Sequence, residues 1–316
     1  FSPDGKINVR FFLSEKVSTG NQRMYPEGTP YYEVLYDKHS FLLPSRMGFD
    51  LLGTAEMKHY FKVSDIEYAE HNFVWKPCYG EKQEYPDKYR EMKVMLEETL
   101  YPYRKLYVIF RTYNEGIAFR YEIPYQSGFE KVVIDKELTE FAFPKNTSVW
   151  ESHGHEGKYY KVYPFEVKTD CELPLTCQTP QGVYGALMEA GNNHYPRAYL
   201  EAPYRKEDIL RISLRGEAKG ERGMVTAWRV ISLADEPGKL MEQNYLLYNL
   251  NESCKLADTS WIKPGTAMRE TTISTPECLK MIDYCASMGI SYMILDWGWY
   301  LPLIHISEPT ILRRIS

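Results

Sequence analysis

No stretch of 18 consecutive apolar residues occurs in this 316-residue sequence, so it offers no segment of the length a membrane-spanning helix needs. No run of Lys or Arg stands out either, and with a formal net charge of -5 the chain suits neither nucleic acid nor an anionic membrane surface as a partner. The six cysteines (78, 171, 177, 254, 278 and 285) form no CxxC pair and no zinc spacing, which argues against a metal ribbon and a thioredoxin-like site. GxSxG, P-loop and HExxH patterns are also missing, which argues against serine-hydrolase, nucleotide and zincin chemistry. The sequence opens Phe1-Ser-Pro-Asp-Gly5 with no starting Met, n-region or h-region, so any signal peptide is expected upstream or already removed.

What is abundant is tyrosine, 27 residues against 13 Phe. Its apolar ring and hydroxyl suit wet, polar ligands such as sugars, and suit half-buried strands equally well. Helical periodicity is nearly absent from residue 7 to about 232. Short β-rich runs broken by Gly, Pro, Asn and Asp take its place. Leu106 to Ile123 reads as two alternating runs joined at Asn114-Glu115-Gly116, where Gly116 supplies the positive φ of a tight hairpin. Ile7 to Leu13, Tyr31 to Tyr36, Tyr89 to Glu97, Val183 to Glu189, Ile209 to Leu214 and Met224 to Ser232 read as further strands. So many strands over more than 200 residues predict two packed antiparallel sheets, a large sandwich. Cys171 and Cys177 flank Glu-Leu-Pro-Leu-Thr. They either bridge a short loop or stay as two free, buried thiols.

The pattern changes after Leu233-Ala-Asp-Glu-Pro-Gly238. Glu236 to Asn249 reads as a short helix or ordered connector leading to Trp261. Ser274-Thr-Pro-Glu277 marks a helix start, with Ser274 or Thr275 as cap, Pro276 in the first turn and Glu277 at the capping-box position. Cys278, Leu279, Ile282, Cys285 and Ala286 recur at helical spacing, Gly289 ends the helix, and a strand follows from Ile290 to Leu295. A strand, a helix and a strand in this order imply a parallel pair. The fold class is therefore an N-terminal antiparallel β-sandwich followed by the first βαβ of a (β/α)8 barrel. The expected domains are 1–235 for the sandwich, 236–302 for the connector and barrel opening, and 303–316 for a non-native tail.

Barrel enzymes present their chemistry at the carboxyl ends of strands. Asp296-Trp-Gly-Trp-Tyr300 lies at such an end. Asp296 can accept hydrogen bonds from hydroxyl groups, and Trp297 and Trp299 can pack on a pyranose face or simply fill the barrel mouth. Trp261 and Lys263, at the end of the preceding candidate strand, are expected beside them, with a solvated loop lysine as the plainer reading of Lys263. Glu189 ends an otherwise apolar run, and a buried carboxylate there needs calcium or an arginine as partner. His153 and His155 alternate in an extended segment between Glu151 and Glu156, which reads as a polar loop or as a metal or acid/base candidate. Glycoside hydrolysis generally needs two carboxyl groups, and the sequence places no second one beside Asp296.

Taken in order, Ser2-Pro-Asp-Gly-Lys6, Tyr31-Tyr-Glu-Val-Leu-Tyr36, Pro44-Ser-Arg-Met-Gly-Phe49, Trp75-Lys-Pro with Gly80-Glu81, Glu115-Gly-Ile-Ala-Phe-Arg-Tyr121, Ser260-Trp-Ile-Lys-Pro-Gly265 and Asp296-Trp-Gly-Trp-Tyr300 resemble glycoside hydrolase family 97. The resemblance implies a galactose-mutarotase-like super-sandwich, a catalytic barrel and a small C-terminal β domain. It implies an exo-acting α-glucosidase or α-galactosidase of the periplasm, needing Ca2+, with an oligosaccharide or α-glycoside as substrate. It also implies that Glu189, in Met188-Glu-Ala190, is the metal ligand. Catalytic carboxylates of the family come from later barrel strands, so none is assigned. A non-catalytic carbohydrate-binding β module and a mutarotase-like epimerase using His153 or His155 are the alternatives. Leu301 to Ser316 departs from the family and resembles translated adapter read-through, so residues from about Leu303 are expected to be an artefact.

Overall fold

The computed structural model describes residues 1–15, 25–154 and 156–296. Its strands are β1 (Ile7–Leu13), β2 (Pro30–Tyr36), β3 (His39–Arg46), β4 (Phe49–Leu51), β5 (Phe61–Trp75), β6 (Tyr85–Glu98), β7 (Lys105–Thr112), β8 (Gly116–Ile123), β9 (Lys131–Glu137), β10 (Glu140–Ala142), β11 (Ser148–Glu151), β12 (Tyr160–Val162), β13 (Leu175–Gln178), β14 (Tyr184–Ala190), β15 (Ala198–Glu201), β16 (Ile209–Leu214), β17 (Ala218–Glu221), β18 (Met224–Val225), β19 (Trp228–Ala234), β20 (Ala267–Glu270) and β21 (Tyr292–Leu295). Among the described residues three α-helices, α1 (Pro237–Glu242), α2 (Tyr245–Asn249) and α3 (Thr275–Met288), and a short 3-10 helix at Pro164–Glu166 complete the set. None is long and apolar enough to cross a membrane.

A six-stranded sheet (β1-β2-β3-β10-β16-β15) and a ten-stranded sheet (β12-β11-β13-β14-β19-β8-β7-β6-β5, with β18 on β8) form the expected sandwich, and β17-β9-β4 make a small third sheet. Alternation explains the packing: in β2 every second residue is buried, from Pro30 to Tyr36. Tyr32 of one sheet meets Phe119 of the other at 4.7 Å between ring centroids. Fully burying a side chain such as Phe119 contributes about 1.5–3 kcal/mol. Strand β19 is buried at all seven positions, because one face joins this core while the other is covered by α2. There Leu246 and Leu250 pack with Ile109, Trp228 and Val230. Gln243 ties the α1–α2 connector down by donating to the carbonyls of Glu115 and Leu233 at 3.0 and 2.9 Å.

The run expected as one strand from Met224 to Ser232 is interrupted. Both β18 and β19 pair with β8, but Thr226 takes over between them. Its hydroxyl accepts from the amide of Tyr121 at 3.0 Å while its amide donates to the Tyr121 carbonyl at 3.0 Å. A side chain thus replaces a ladder bond, as at a bulge.

Cys171 and Cys177 are both free and buried, which decides between the two readings of this pair. Burial raises the Cys171 thiol to about 11 and pushes Cys177 higher still. Iodoacetamide is therefore expected to alkylate the exposed Cys78 and Cys254 in the native protein and to spare Cys171 and Cys177 until the chain is unfolded without reductant. Resistance after unfolding would reveal a bridge.

The chain divides into two compact units. One comprises Phe1–Trp75 and Glu84–Cys254; the other comprises Lys76–Gln83 and the residues from Lys255 onward. In the second unit β20 and β21 pair in parallel, Ala267 with Tyr292 through Glu270 with Leu295, and α3 connects them. Ser274 caps α3 by accepting from the Glu277 amide at 3.4 Å, and Gly289 ends it in the left-handed region at φ 68°. Glu277 does not complete a capping box; its carboxylate accepts from Lys280 at 2.7 Å. Of the apolar residues expected on one face of α3, Cys285 is buried, whereas Leu279 and Ile282 are exposed.

Candidate functional site

The parallel pair puts the carboxyl ends of β20 and β21 side by side, and the Asp296 amide donates to the Glu270 carbonyl at 3.2 Å. Asp296 forms an ion pair with Arg269 on the neighbouring strand. Directly beside it, Glu270 accepts from the Thr272 amide at 3.0 Å, the Thr272 hydroxyl at 2.7 Å and the Ile273 amide at 2.8 Å. These donors hold its carboxyl well down, to about 2, with the Thr272 hydroxyl the largest contributor. Ile273 sits at φ 55°, an unfavourable region for a β-branched residue, and the carboxylate of Glu270 is what fixes its amide. The sequence reading missed both Arg269 and Glu270. The available signal was a charged pair closing a strand just before a helix start.

Because the folded carboxyl of Glu270 is depressed, its contribution to stability is complete above the unfolded value near 4.5. It is lost as pH falls through about 2. Glu270→Gln is expected to flatten the pH dependence of unfolding of the second unit across that window. An unchanged slope in acid titrations followed by circular dichroism would contradict this.

Trp261 and Lys263 are not brought to this strand end. β20 begins only at Ala267, so both residues precede it, on the amino-terminal side of the pair. The Lys263 carbonyl accepts from the Tyr292 hydroxyl at the start of β21. Trp261 lies in a turn closed by the Ile262 amide on the Thr259 carbonyl, with its indole donating to the Asp258 carbonyl at 3.1 Å. The expectation that they stand beside Asp296 is corrected: Pro264 and Gly265 belong to the approach to the strand, not to its exit. Trp297 and Trp299 lie outside the described residues.

Glu189, in the other unit, has an arginine partner. Arg229 is its direct neighbour across β14 and β19, and the guanidinium donates to Glu189 Oε2 at 2.9 Å. The same guanidinium grips Glu137 with two bonds, Nε to Oε1 at 2.8 Å and Nη2 to Oε2 at 2.6 Å. Tyr195 and Thr139 complete the shell of Glu137, each donating at 2.8 Å. Glu137 is thus saturated and its side chain fully buried, while Glu189 keeps 12% of its side chain exposed. Beyond Arg229, among the described residues Glu189 accepts only from the Ala198 amide, at 3.2 and 3.4 Å. One carboxylate fits calcium as a single oxygen ligand, but this cation takes six to eight. Among the described residues no three His, Cys, Asp or Glu side chains gather to hold a metal, so these residues alone do not complete a calcium site.

His153 places Nδ1 3.2 Å from the Asp170 carbonyl and Nε2 3.1 Å from the Glu151 carboxylate. Both ring nitrogens thus face acceptors from its own unit, the polar-loop arrangement that was one of its readings; His155 lies outside the described residues.

The family profile described as glycosyl-hydrolase 97 N-terminal matches residues 1–253. A retaining alpha-galactosidase of Bacteroides thetaiotaomicron is 25% identical over 248 residues, covering 62% of this chain and 37% of that protein. A probable retaining alpha-galactosidase of Streptomyces bingchenggensis is 25% identical over 232 residues, covering 67% and 35%. The chain therefore spans little more than a third of these relatives' length. A glycoside hydrolase family 97 enzyme from Pseudoalteromonas sp. strain K8, solved in complex with acarbose, superposes with a TM-score of 0.83 at 25% identity, covering 94% of this chain and 47% of that one. With four-fifths of its length matched by the family's N-terminal profile and its sandwich reproduced in a family enzyme, the chain belongs to glycoside hydrolase family 97.

Proposed function

We propose that this chain is the N-terminal part of an exo-acting α-glycoside hydrolase of carbohydrate catabolism, acting on α-glucosides or α-galactosides in the periplasm or outside the cell. The observation that carries the reading is the strand-end cluster of Arg269, Glu270 and Asp296 on a parallel βαβ that follows a family-typical sandwich. Strand ends of this kind are where barrel enzymes hold substrate. In this reading residues 1–235 are the sandwich domain. Residues 236–302 connect it to, and open, the catalytic barrel, and 303–316 are a non-native tail. Asp296 accepts from sugar hydroxyls once substrate is present, and Trp297 and Trp299 contribute an apolar wall. Trp261 and Lys263 remain substrate-binding candidates only if the complete barrel brings the approach to β20 within reach of sugar.

Glu189 is proposed as one oxygen ligand of a Ca2+ ion, oriented by Arg229, with the remaining ligands supplied from outside the described residues. In a chain extended to the relatives' length, Glu189→Gln is then expected to weaken calcium binding at least about tenfold by calorimetry. Undiminished affinity would remove Glu189 from the site.

The 316-residue chain is itself expected to be inactive. Hydrolysis generally requires two carboxyl groups flanking the scissile bond. Here Glu270 is taken up as the ionised brace of a loop, and Asp296 is neutralised by Arg269. No release of nitrophenol from an aryl α-glucoside or α-galactoside is expected from this chain, and release of one of them from the extended chain. Turnover by the 316 residues alone would refute the assignment of the chemistry to later strands.

A further inference from the structure

We infer, resting on the reading of Glu189 as a calcium ligand, that the buried Glu137, Thr139 and Tyr195 position this carboxylate through Arg229. Together they fix which oxygen of Glu189 stays open to a cation and hold it there.

The charges come first. Arg229 pairs with both Glu137 and Glu189, and among the described residues no other Lys, Arg or His lies within ion-pair distance of either. Two carboxylates thus share one guanidinium, and one negative charge stays uncompensated in a poorly solvated place, which is costly unless a cation completes it. Glu137 has no room for one. Its Oε1 accepts from Arg229 Nε and Thr139, and its Oε2 from Arg229 Nη2 and Tyr195. The open valence falls to Glu189, the only one of the two carboxylates with exposed side-chain surface. Its own oxygens are unequal. Oε2 accepts from Arg229 at 2.9 Å and from the Ala198 amide at 3.2 Å, whereas Oε1 has only the longer 3.4 Å share of that amide. Oε1 is therefore the oxygen with lone pairs to spare.

The donors behind this division have forced directions. A carboxylate only accepts, so the hydroxyl protons of Thr139 and Tyr195 both go to Glu137. Thr139 Oγ1 and the Tyr121 hydroxyl are 2.6 Å apart, and since the Thr139 proton is already committed, Tyr121 donates. Glu137 then grips Nε and Nη2 of Arg229 and leaves Nη1 to Glu189. The ring of Tyr195 lies over the same guanidinium, 5.6 Å from its centre. Arg229 comes from β19, Glu137 from β9 of the small sheet and Tyr195 from the β14–β15 loop, so moving Glu189 away from Arg229 would disturb a network spanning two sheets. A planar fork is needed for this. An ammonium group cannot hold both oxygens of Glu137 and one of Glu189 in fixed directions.

Calorimetric titration of Ca2+ into the chain extended to the relatives' length is the test, with circular dichroism confirming that each variant is folded. Arg229→Lys keeps the charge and loses the fork; Tyr195→Phe keeps the ring and loses the hydroxyl. Calcium affinity is expected to fall about tenfold or more in Arg229→Lys and by a smaller factor in Tyr195→Phe. Adding Tyr195→Phe to Glu189→Gln should weaken it no further. Arg104→Lys is the matched control. Arg104 grips Glu98 in the same forked way, through Nε at 2.8 Å and Nη2 at 2.6 Å, and makes no bond to this network, so its substitution should loosen the sandwich and leave calcium affinity unchanged. Should Arg229→Lys fail to fold, Tyr195→Phe decides. Parent affinity in Tyr195→Phe, an equal loss from Tyr195→Phe with or without Glu189→Gln, or an equal loss in Arg104→Lys would each overturn the positioning role while leaving Glu189 a ligand. Parent affinity in Glu189→Gln alone would instead remove Glu189 from the calcium site, and the positioning role with it.

Discussion

Arg229→Met is expected to destabilise the sandwich by about 3–5 kcal/mol. Arg229 is 1% exposed and sits between Glu137 and Glu189. Removing it strands a fully buried carboxylate whose two oxygens lose their strongest donors. Breaking one side of such a pair costs far more than the pair contributes net, because an uncompensated charge stays behind in a poorly solvated place. Urea denaturation should show the loss as a lower midpoint with an unchanged slope. The physical cause is separable: Arg229→Met combined with Glu137→Leu should recover a large part of the stability, since apolar replacement of both partners removes the stranded charge. If the double variant is as unstable as the sum of the single ones, packing of Arg229 matters and its charge does not.

Gly116→Ala is expected to cost about 3 kcal/mol, more than a hairpin glycine usually does. Two constraints coincide at this residue. Its φ is 155°, and an added Cβ would lie 2.2 Å from the Ile231 carbonyl oxygen and 2.9 Å from the Ser232 Cα. These are backbone atoms of β19, the central strand buried on both faces, so they cannot swing aside as a side-chain tip could. The strand pairing of β8 with β19 ends at Gly116 opposite Ser232, and relief requires opening that ladder. Thermal unfolding should show the loss directly; a melting temperature within a degree or two of the parent would mean that β19 yields more readily than its burial implies. Gly5, with φ 81° but open space around it, is the control: Gly5→Ala should show only the smaller cost of the left-handed backbone.

The most legible parts of the sequence were those governed by local rules. Ile7–Leu13 and Ile209–Leu214 have the strand bounds their alternation indicates, and α3 has the cap and the terminating glycine that Ser274 and Gly289 announce. β5 was not legible. It runs from Phe61 to Trp75 as the edge of the ten-stranded sheet, exposed at nearly every position. Lys62, Asp65, Glu67 and Glu70 erase the alternation that burial on one face would otherwise write into it, as edge strands commonly do. The break between β18 and β19 was hidden for a different reason, since Thr226 is a good strand residue whose hydroxyl acts only once Tyr121 lies opposite.

At the candidate site the same division holds. Asp296 could be placed at a strand end from its position after Tyr292-Met-Ile-Leu295, because the strand-to-loop transition is written locally. Trp261 and Lys263 could not, because the start of β20 depends on where Gly265 packs against Ser291 and Tyr292, residues far along the chain. Glu189, at the end of an otherwise apolar run, announced that a buried partner existed. That the arginine beside Glu189 is Arg229 followed only from the register that sets β14 against β19.

By itself the sequence determined the β-rich sandwich, the βαβ that follows and the family, since periodicity, caps and ordered motifs are properties of neighbouring residues. The tertiary structure alone decided who neutralises whom: Arg229 between two glutamates, Arg269 on Asp296, and Glu270 bracing Ile273. Charge pairing and exposure depend on distances between segments remote in the chain, and those are fixed only when the sheets close on their core.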